Sequence, residues 1–397
     1  MKVCFLSSAR YRQPLDATSA KKFRALGTLG EMVVIGFSCD LTPRRFTEQA
    51  EFYLLPLFPF PILRYLTMFT IAPGLAFWLI FRQRLHILVA QSPYEGFAAA
   101  LAKKMARWFG RHVALVVESH GDFERDVFLQ RRIVFARLWR FGMRVIARFT
   151  LAQADGLRAI SASTKAQLAR WQPGCPVFQM MAWTDMAAFL NASAQRPAPP
   201  SPMFLYAGVL IPRKGVAHLI KAFAALTADF PQARLVLLGK EQDGPYVQEL
   251  KAQLKSLGLA DKVRFVPEMP QEQLAGWMAQ ACAFVLPSLS EGLGRVVVEA
   301  MATGAPVIGS RVGGIPDLIH DQVTGFLVAP GDEAALAEKM RWILAHPALA
   351  QTMGQQAQNF ARAFFSTETY VQSYQQIFQA AEMSLKNKNT PHAPSPV

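Results

Sequence analysis

At 397 residues the chain exceeds one ordinary core, and a composition of 52% hydrophobic and 18% charged residues excludes general disorder. The formal net charge of +14 is unevenly placed: residues 1–190 hold 25 Lys and Arg against 12 Asp and Glu, and residues 191–397 hold 17 against 16. The first half therefore calls for an anionic partner, whether nucleic acid, anionic lipid or a phosphorylated substrate.

MKVCFLSSAR opens with an apolar run too short for a signal peptide and reads as a buried strand, Lys2–Ser7, followed by a turn. Strands follow at Met32–Phe37, His86–Ala90 and Val113–Glu118, with helices near Ser19–Gly27, Tyr94–Phe109 and Phe123–Phe149. A strand at Gly156–Ser161 precedes a helix from Ser163 to Trp171. NASAQRPAPPSP, Asn191–Pro202, has the composition of a linker.

The alternation then restarts. Strands are expected at Met203–Ala207, Arg234–Leu238, Val263–Val266, Ala283–Pro287 and Pro306–Gly309. Helices are expected at Gly215–Ala228, Tyr246–Leu257, Gln271–Ala281, Leu293–Ala302 and Glu333–Ala345. Two successive βα arrays imply an α/β protein with two Rossmann-like, doubly wound parallel sheets, their ligands at the carboxyl ends of the strands. The expected division is an N-terminal Rossmann-like domain over 1–190, a linker over 191–202 and a C-terminal Rossmann-like domain over 203–370. A helix over 371–385 returns to the first domain, and 386–397 reads as a disordered tail.

Four cysteines, Cys4, Cys39, Cys175 and Cys282, form no CxxC or Cys/His cluster, so no disulfide framework or zinc site is expected and a reducing cytoplasm fits. Tyr65–Phe81 carries no charge over 17 residues. As a helix it would rise roughly 25 Å, short of the ~30 Å hydrocarbon core, and Pro73-Gly74 interrupts it. It reads as a buried or interface-dipping helix. Phe123–Phe149 carries Arg125, Arg131, Arg132, Arg137, Arg140, Arg144 and Arg148, interleaved with Phe135, Trp139, Phe141 and Phe149. Such a helix is either solvated, with arginine stems covering the core, or a basic surface for anionic lipid or a phosphorylated acceptor.

The chemistry concentrates in FVLPSLSEGLGRVVVEAMATGAPVIGS, Phe284–Ser310. A strand ends, a glycine-bearing loop follows, and a helix begins near Leu293. The unpartnered N–H groups and dipole of a helix start suit phosphate oxygens, and Gly292 and Gly294 permit close backbone approach. Glu291 in the loop and Glu299 two turns into the helix put a carboxylate at either end of a ligand lying there. Ionised carboxylates accept strongly from sugar and ribose hydroxyls. Taken alone, the E-x7-E pair could equally be surface glutamates flanking an ordinary βα turn.

The wider context is more specific. SEGLGRVVVEAMATGAPVI, RVGGIPDLI at Arg311–Ile319, TGFLVAPGD at Thr324–Asp332 and YAGVLIPRKGVAHLIKAF at Tyr206–Phe223 resemble the retaining, GT-B-fold glycosyltransferases of family 4. VVESHGDF at Val116–Phe123 and DGLRAIS at Asp155–Ser161 extend the resemblance into the first half.

That resemblance implies two Rossmann-like domains facing a central cleft and a nucleoside-diphosphate-sugar donor, with no cofactor. Glu291 would contact the transferred sugar, Glu299 the ribose, and Arg213 and Lys214 the diphosphate. Gly292, Leu293, Gly294, Val296, Gly208, Val266 and Met269 would complete the donor site, the base lying against Val266–Met269. His120 would face the sugar as a fourth catalytic residue; a core histidine is its bland alternative.

The resemblance also implies a front-face route, in which the leaving phosphate helps deprotonate the acceptor and no protein nucleophile is needed; no second carboxylate stands out as a nucleophile candidate in the first half. No DxD motif occurs, so a metal bridging the diphosphate is not expected.

Two departures from the family pattern stand out. Val209, not Arg, follows Gly208, and SSARYRQPLD at Ser7–Asp16 lacks paired glycines, leaving Ser8, Arg10 and Asp122 as weak acceptor-side candidates.

The expectation is thus an enzyme transferring sugar to a glycan or glycolipid of the cell envelope, in the cytoplasm at the inner face of an anionic membrane. A nucleotide-sugar epimerase of the same fold is the alternative. Nucleic-acid binding ranks low because the basic charge comes with no matching fold signature.

Overall fold

The computed structural model describes residues 1–124, 136–194 and 202–389. Its strands and helices alternate along the chain. The first series is β1 (Lys2–Arg10), α1 (Ala17–Leu26), β2 (Glu31–Phe37), β3 (Arg44–Thr47), β4 (Glu51–Leu55), α2 (Pro61–Arg82), β5 (Ile87–Ala90) and α3 (Gly96–Trp108). There follow β6 (Ala114–Ser119), α4 (Ala136–Gln153), β7 (Gly156–Ala159), α5 (Ala162–Arg170), β8 (Val177–Gln179) and α6 (Ala187–Ala194).

The second series is β9 (Met203–Ala207), α7 (Val216–Ala224), β10 (Arg234–Leu238), α8 (Gly244–Ser256), β11 (Val263–Val266), α9 (Gln271–Gln280), β12 (Ala283–Leu286) and α10 (Arg295–Ala302). It continues with β13 (Val307–Ser310), α11 (Ile315–Leu318), β14 (Phe326–Val328), α12 (Glu333–Ala345), α13 (Pro347–Phe364) and α14 (Thr367–Asn389).

Two compact units result, one of residues 1–183 with the chain from Thr367 onward, the other of Thr184–Ser366. The first unit holds an eight-stranded sheet in the order β3-β4-β2-β1-β5-β6-β7-β8, parallel except for the β3–β4 hairpin. Alternate residues of β1 feed opposite faces, as the two-residue period of a strand requires. Cys4 and Leu6 pack with the inner sides of α2, α3 and α4, while Val3 and Phe5 pack with Phe23 of α1 and Tyr370, Tyr374 and Phe378 of α14. The second unit has the strand order β11-β10-β9-β12-β13-β14, all parallel. In each sheet the order reverses beside the first strand, between β1 and β5 and between β9 and β12. Loops on either side of such a switch point diverge and leave a crevice at the carboxyl ends.

The boundaries differ from the sequence pattern. Residues 184–194 belong to the second unit, because α6 packs on α9 and α10 and buries Phe189 completely. Asn191–Ala194 are therefore the last turn of a helix, and 195–201 of the expected linker lie outside the described residues. The last helix starts at Thr367 and runs to Asn389, so Lys386–Asn389 are not tail; the remaining tail residues lie outside the described ones. Lys388 holds that end, donating to the Ala154 carbonyl at 2.7 Å and to Asp155 at 3.2 Å. The strands β3, β4, β8 and β14 were not anticipated from the sequence pattern.

The uncharged stretch forms most of α2, whose Leu63–Arg82 portion is long and apolar enough to cross a membrane by length and composition. Met68, Ala72, Ala76, Leu79 and Ile80 lie in the core, whereas Leu66, Ile71, Trp78 and Phe81 are exposed. Arg137, Arg140, Arg144 and Arg148 of α4 are all exposed, and Met143, Ala147 and Leu151 face inward. Arg125, Arg131, Arg132 and Phe135 lie outside the described residues.

Candidate active site

In the second unit the switch point brings together the loop after β9 and the loop after β12. The turn at Gly215 presses on the second loop: its φ is +68°, and a Cβ there would sit 2.0 Å from the Pro287 carbonyl oxygen. Leu289 N–H donates to the Arg213 carbonyl at 2.8 Å, and Arg213 Nη1 reaches the Ser290 carbonyl at 3.4 Å. Lys214 and Glu291, expected to serve different parts of a ligand, are ion-paired to each other at this seam. Ser288 Oγ adds a hydrogen bond to Glu291 at 3.3 Å. Sequence gave no sign of Ser288, whose hydroxyl matters only once the loop has folded back.

The β12 loop is held from below by the RVGGIPDL segment. Gly314 N–H donates to the Gly292 carbonyl at 2.8 Å. Gly313 has φ +56°, and a Cβ on it would fall 1.8 Å from the Glu291 carbonyl oxygen. These glycines let two loops touch through their backbones, which fixes where the Glu291 carboxylate stands.

Helix α10 begins just after Gly294, and its first turn closes through Val297 N–H to the Gly294 carbonyl at 2.8 Å. The N–H groups of Leu293, Gly294, Arg295 and Val296 precede that bond and have no carbonyl of their own helix to meet. Leu293 is buried and Val296 half-buried beside them. Glu299 lies in the same helix at 8% exposure, without a hydrogen bond or ion pair among the described residues. Burial raises its carboxyl above the usual range, a shift that the charge of Arg295 opposes. A buried carboxylate with open acceptor capacity needs hydroxyl or N–H donors.

At the neighbouring strand ends, Gly208 N–H donates to the Leu238 carbonyl and Gly239 N–H to the Val266 carbonyl, both at 2.9 Å. Met269, half-buried, follows in the turn after β11. Glu291, Lys214, Arg213, the α10 start and Glu299 thus all belong to loops and helices at the carboxyl end of this sheet.

In the first unit, His120 follows β6. Its Nε2 lies 2.8 Å from Glu118, which the sequence pattern had left unremarked. Glu118 is 1% exposed, and Arg158 of β7, 2% exposed, donates to it at 2.9 Å. Arg158 also reaches the Tyr374 hydroxyl of α14 at 3.1 Å and the carbonyls of Met180 and Met181 at 3.2 and 2.9 Å. The Tyr374 hydroxyl donates to Glu118 as well. Burial alone would raise the Glu118 carboxyl, but Arg158 and the His120 contact outweigh it and hold the group well below the usual carboxylate range.

A carboxylate therefore stands beside His120, but it is committed to a buried ion pair and is no free nucleophile. The signal was an arginine, Arg158, inside the short, fully buried strand β7.

Ser8 and Arg10 are exposed on β1, and Ser8 N–H donates to the half-buried Glu95 at 3.1 Å. Asp122 accepts from Gln167 at 2.8 Å and from Glu124 N–H at 3.1 Å, a turn-holding position. No group of three or more His, Cys, Asp or Glu able to hold a metal occurs among the described residues.

Two parallel-sheet units with this topology define the GT-B fold of glycosyltransferases. Solved structures agree. Sucrose-phosphate synthase from Thermosynechococcus elongatus is 23% identical, with a TM-score of 0.73 over 96% of this chain and 99% of its own. The Anabaena protein HepE in complex with UDP is 20% identical, with a TM-score of 0.74 over 96% and 100%.

Residues 191–360 match the model for glycosyl transferases group 1, and residues 18–176 match that for a glycosyl transferase 4-like domain. With the fold, these matches make the chain a glycosyltransferase of the GT-B, group 1 type. Among curated relatives, D-inositol 3-phosphate glycosyltransferase of Streptomyces avermitilis is 36% identical over 197 residues, 47% of this chain and 42% of the relative. The match thus spans less than half of that relative's length.

Proposed function

We propose that the protein transfers a sugar, with retention of configuration, from a nucleoside diphosphate sugar to a glycan or glycolipid acceptor. The observation that carries this reading is the grouping of Lys214, Glu291, the α10 start and the open Glu299 carboxylate at one switch point. The diphosphate would lie at the helix start, where unpaired N–H groups and Lys214 and Arg213 meet the charge that grows as the bond to the sugar breaks. Glu299 would accept from the ribose and Glu291 from the sugar. The uridine diphosphate in the HepE complex supports a donor of this kind on the same fold.

The departing phosphate would take the proton of the incoming hydroxyl on the same face. His120, held by Glu118, would bind a sugar hydroxyl in that step. Positive charge from Arg213, Lys214 and the helix start would stabilise the leaving group without a metal. The basic exposed row on α4 supports an anionic acceptor or membrane, as an envelope pathway at the inner face of a cytoplasmic membrane would offer.

The test is a screen of UDP-, GDP- and ADP-sugars for binding, followed by acceptor-dependent release of nucleoside diphosphate and NMR of the product anomer. Glu291→Ala and Lys214→Ala should each lower turnover about a hundredfold or more. Unchanged rates in both would remove the site, and an isomerised donor formed without acceptor would favour the epimerase.

A further inference from the structure

At the end of the first sheet opposite His120, the amino-terminal ends of β1 and β5 frame a cavity of about 640 Å³. Lys2, Arg45, Arg82, Arg84 and His86 are among the residues that line it, and His86 Nδ1 accepts from the Lys2 backbone N–H at 3.1 Å. The acid in that lining, Glu51, is already satisfied: Arg45 donates to it at 2.7 and 3.1 Å, Tyr53 donates at 2.8 Å, and Gln83 donates too. Lys2 pairs with Glu31 at 2.7 Å. Arg82 and Arg84 have no hydrogen bond or ion pair among the described residues. Arg84 holds a φ of +55° just beyond the end of α2, a position where glycine or asparagine is usual.

The second observation is apolar. Trp78, which also lines the cavity, is 46% exposed, and Phe81 one turn on is 42% exposed. The end of α3 adds Trp108 and Phe109, at 75% and 69% exposure. Phe109 packs against Phe77 and Phe81, with ring centroids 5.7 and 6.3 Å apart, so these three phenyl rings form one ridge, with Trp78 and Trp108 exposed at positions next to Phe77 and Phe109 in the chain. Monomeric soluble proteins rarely leave such a patch in water, and aromatic rings bordered by arginines are typical of the membrane–water interface. Guanidinium groups beside them recognise phosphate through paired N–H donors.

We infer that this cavity binds the phosphate headgroup of an anionic membrane lipid, with the aromatic ridge seated in the interface beside it. The inference rests on the membrane-contact part of the proposed function and is independent of the transfer chemistry. It differs from contact through the α4 arginines in naming a cavity and a headgroup rather than a charged face.

Co-sedimentation with vesicles of one part phosphatidylglycerol to two parts phosphatidylcholine, and with phosphatidylcholine alone, tests it. The full chain should bind the anionic vesicles more tightly. Arg82→Ala/Arg84→Ala should weaken that binding about tenfold or more and leave the neutral vesicles unaffected. Trp108→Ser/Phe109→Ser should weaken both, and nucleoside diphosphate binding should be unchanged in every variant.

Full anionic binding by the arginine variant, lost instead when the four α4 arginines become glutamine, would overturn the cavity site while keeping the membrane reading. Absence of binding to any vesicle would overturn both, whatever the transferase assay shows. Thermal stabilisation by inorganic phosphate that needs Arg82 and Arg84, without vesicle binding, would give the cavity to free phosphate and overturn the lipid assignment.

Discussion

Replacing Glu118 by Gln removes one charge from the most enclosed ion pair of the first unit while keeping the side chain's volume. No cavity forms, so the cost is that of leaving the Arg158 guanidinium buried without its counter-charge. Arg158 would keep the carbonyls of Met180 and Met181 and the face of the Tyr374 ring, 5.3 Å from its guanidinium carbon. Breaking one partner of a buried pair typically costs about 3–5 kcal/mol, and these remaining contacts argue for the lower end.

With two units the chain is a poor subject for a single two-state melt. Hydrogen exchange of β6 and β7 amides reports the first unit directly, and a loss of about 3 kcal/mol should speed their slowest exchange about a hundredfold. The sign with pH follows from the depressed folded carboxyl. Its stabilisation is present above the ordinary carboxylate value near ~4.3 and is lost as pH falls toward the folded value. Wild type and variant should therefore converge in acid. A difference below tenfold at neutral pH, or one that does not shrink on acidification, would refute the claim that Glu118 is ionised to neutralise Arg158.

Glu299→Gln should stabilise the second unit at neutral and alkaline pH, because the raised folded carboxyl favours the protonated form and costs stability as pH rises through it. The same change should weaken nucleoside diphosphate binding, and in wild type that binding should fall as Glu299 is protonated; calorimetry across pH, with the variant as control, checks both. Gly313→Ala should cost about 1–3 kcal/mol in the second unit and displace the Glu291 loop, seen as weaker donor binding; wild-type affinity would contradict the loop contact. Tyr374→Phe, which removes only a hydroxyl from α14, should lower the stability of the first unit by about 1.5–3 kcal/mol, read as faster exchange of the β6 and β7 amides.

Much of the architecture was legible because a buried parallel strand must be largely apolar, and β9, β12, Val3–Leu6 of β1 and Leu235–Leu238 of β10 are strings of such residues. The helix start at Gly294 was legible too, since glycine and a carboxylate at a strand end carry a recognisable chemical purpose. The expected linker concealed a helix because alanine and serine suit both a loop and a packed helical turn; Phe189 settles it only through what it touches. The partners of Glu291 were divided differently from expectation, Lys214 meeting the carboxylate directly.

The sequence by itself determined two βα arrays, the charge asymmetry and the short segment around Glu291, all of which depend on residues close along the chain. Tertiary structure decided the rest. It brought Lys214 to Glu291 across 77 positions and Tyr374 to Glu118 across 256. The physical reason is that a buried charge is tolerable only with a counter-charge or donors around it. Those partners come from strands and helices that meet only after the sheet has formed.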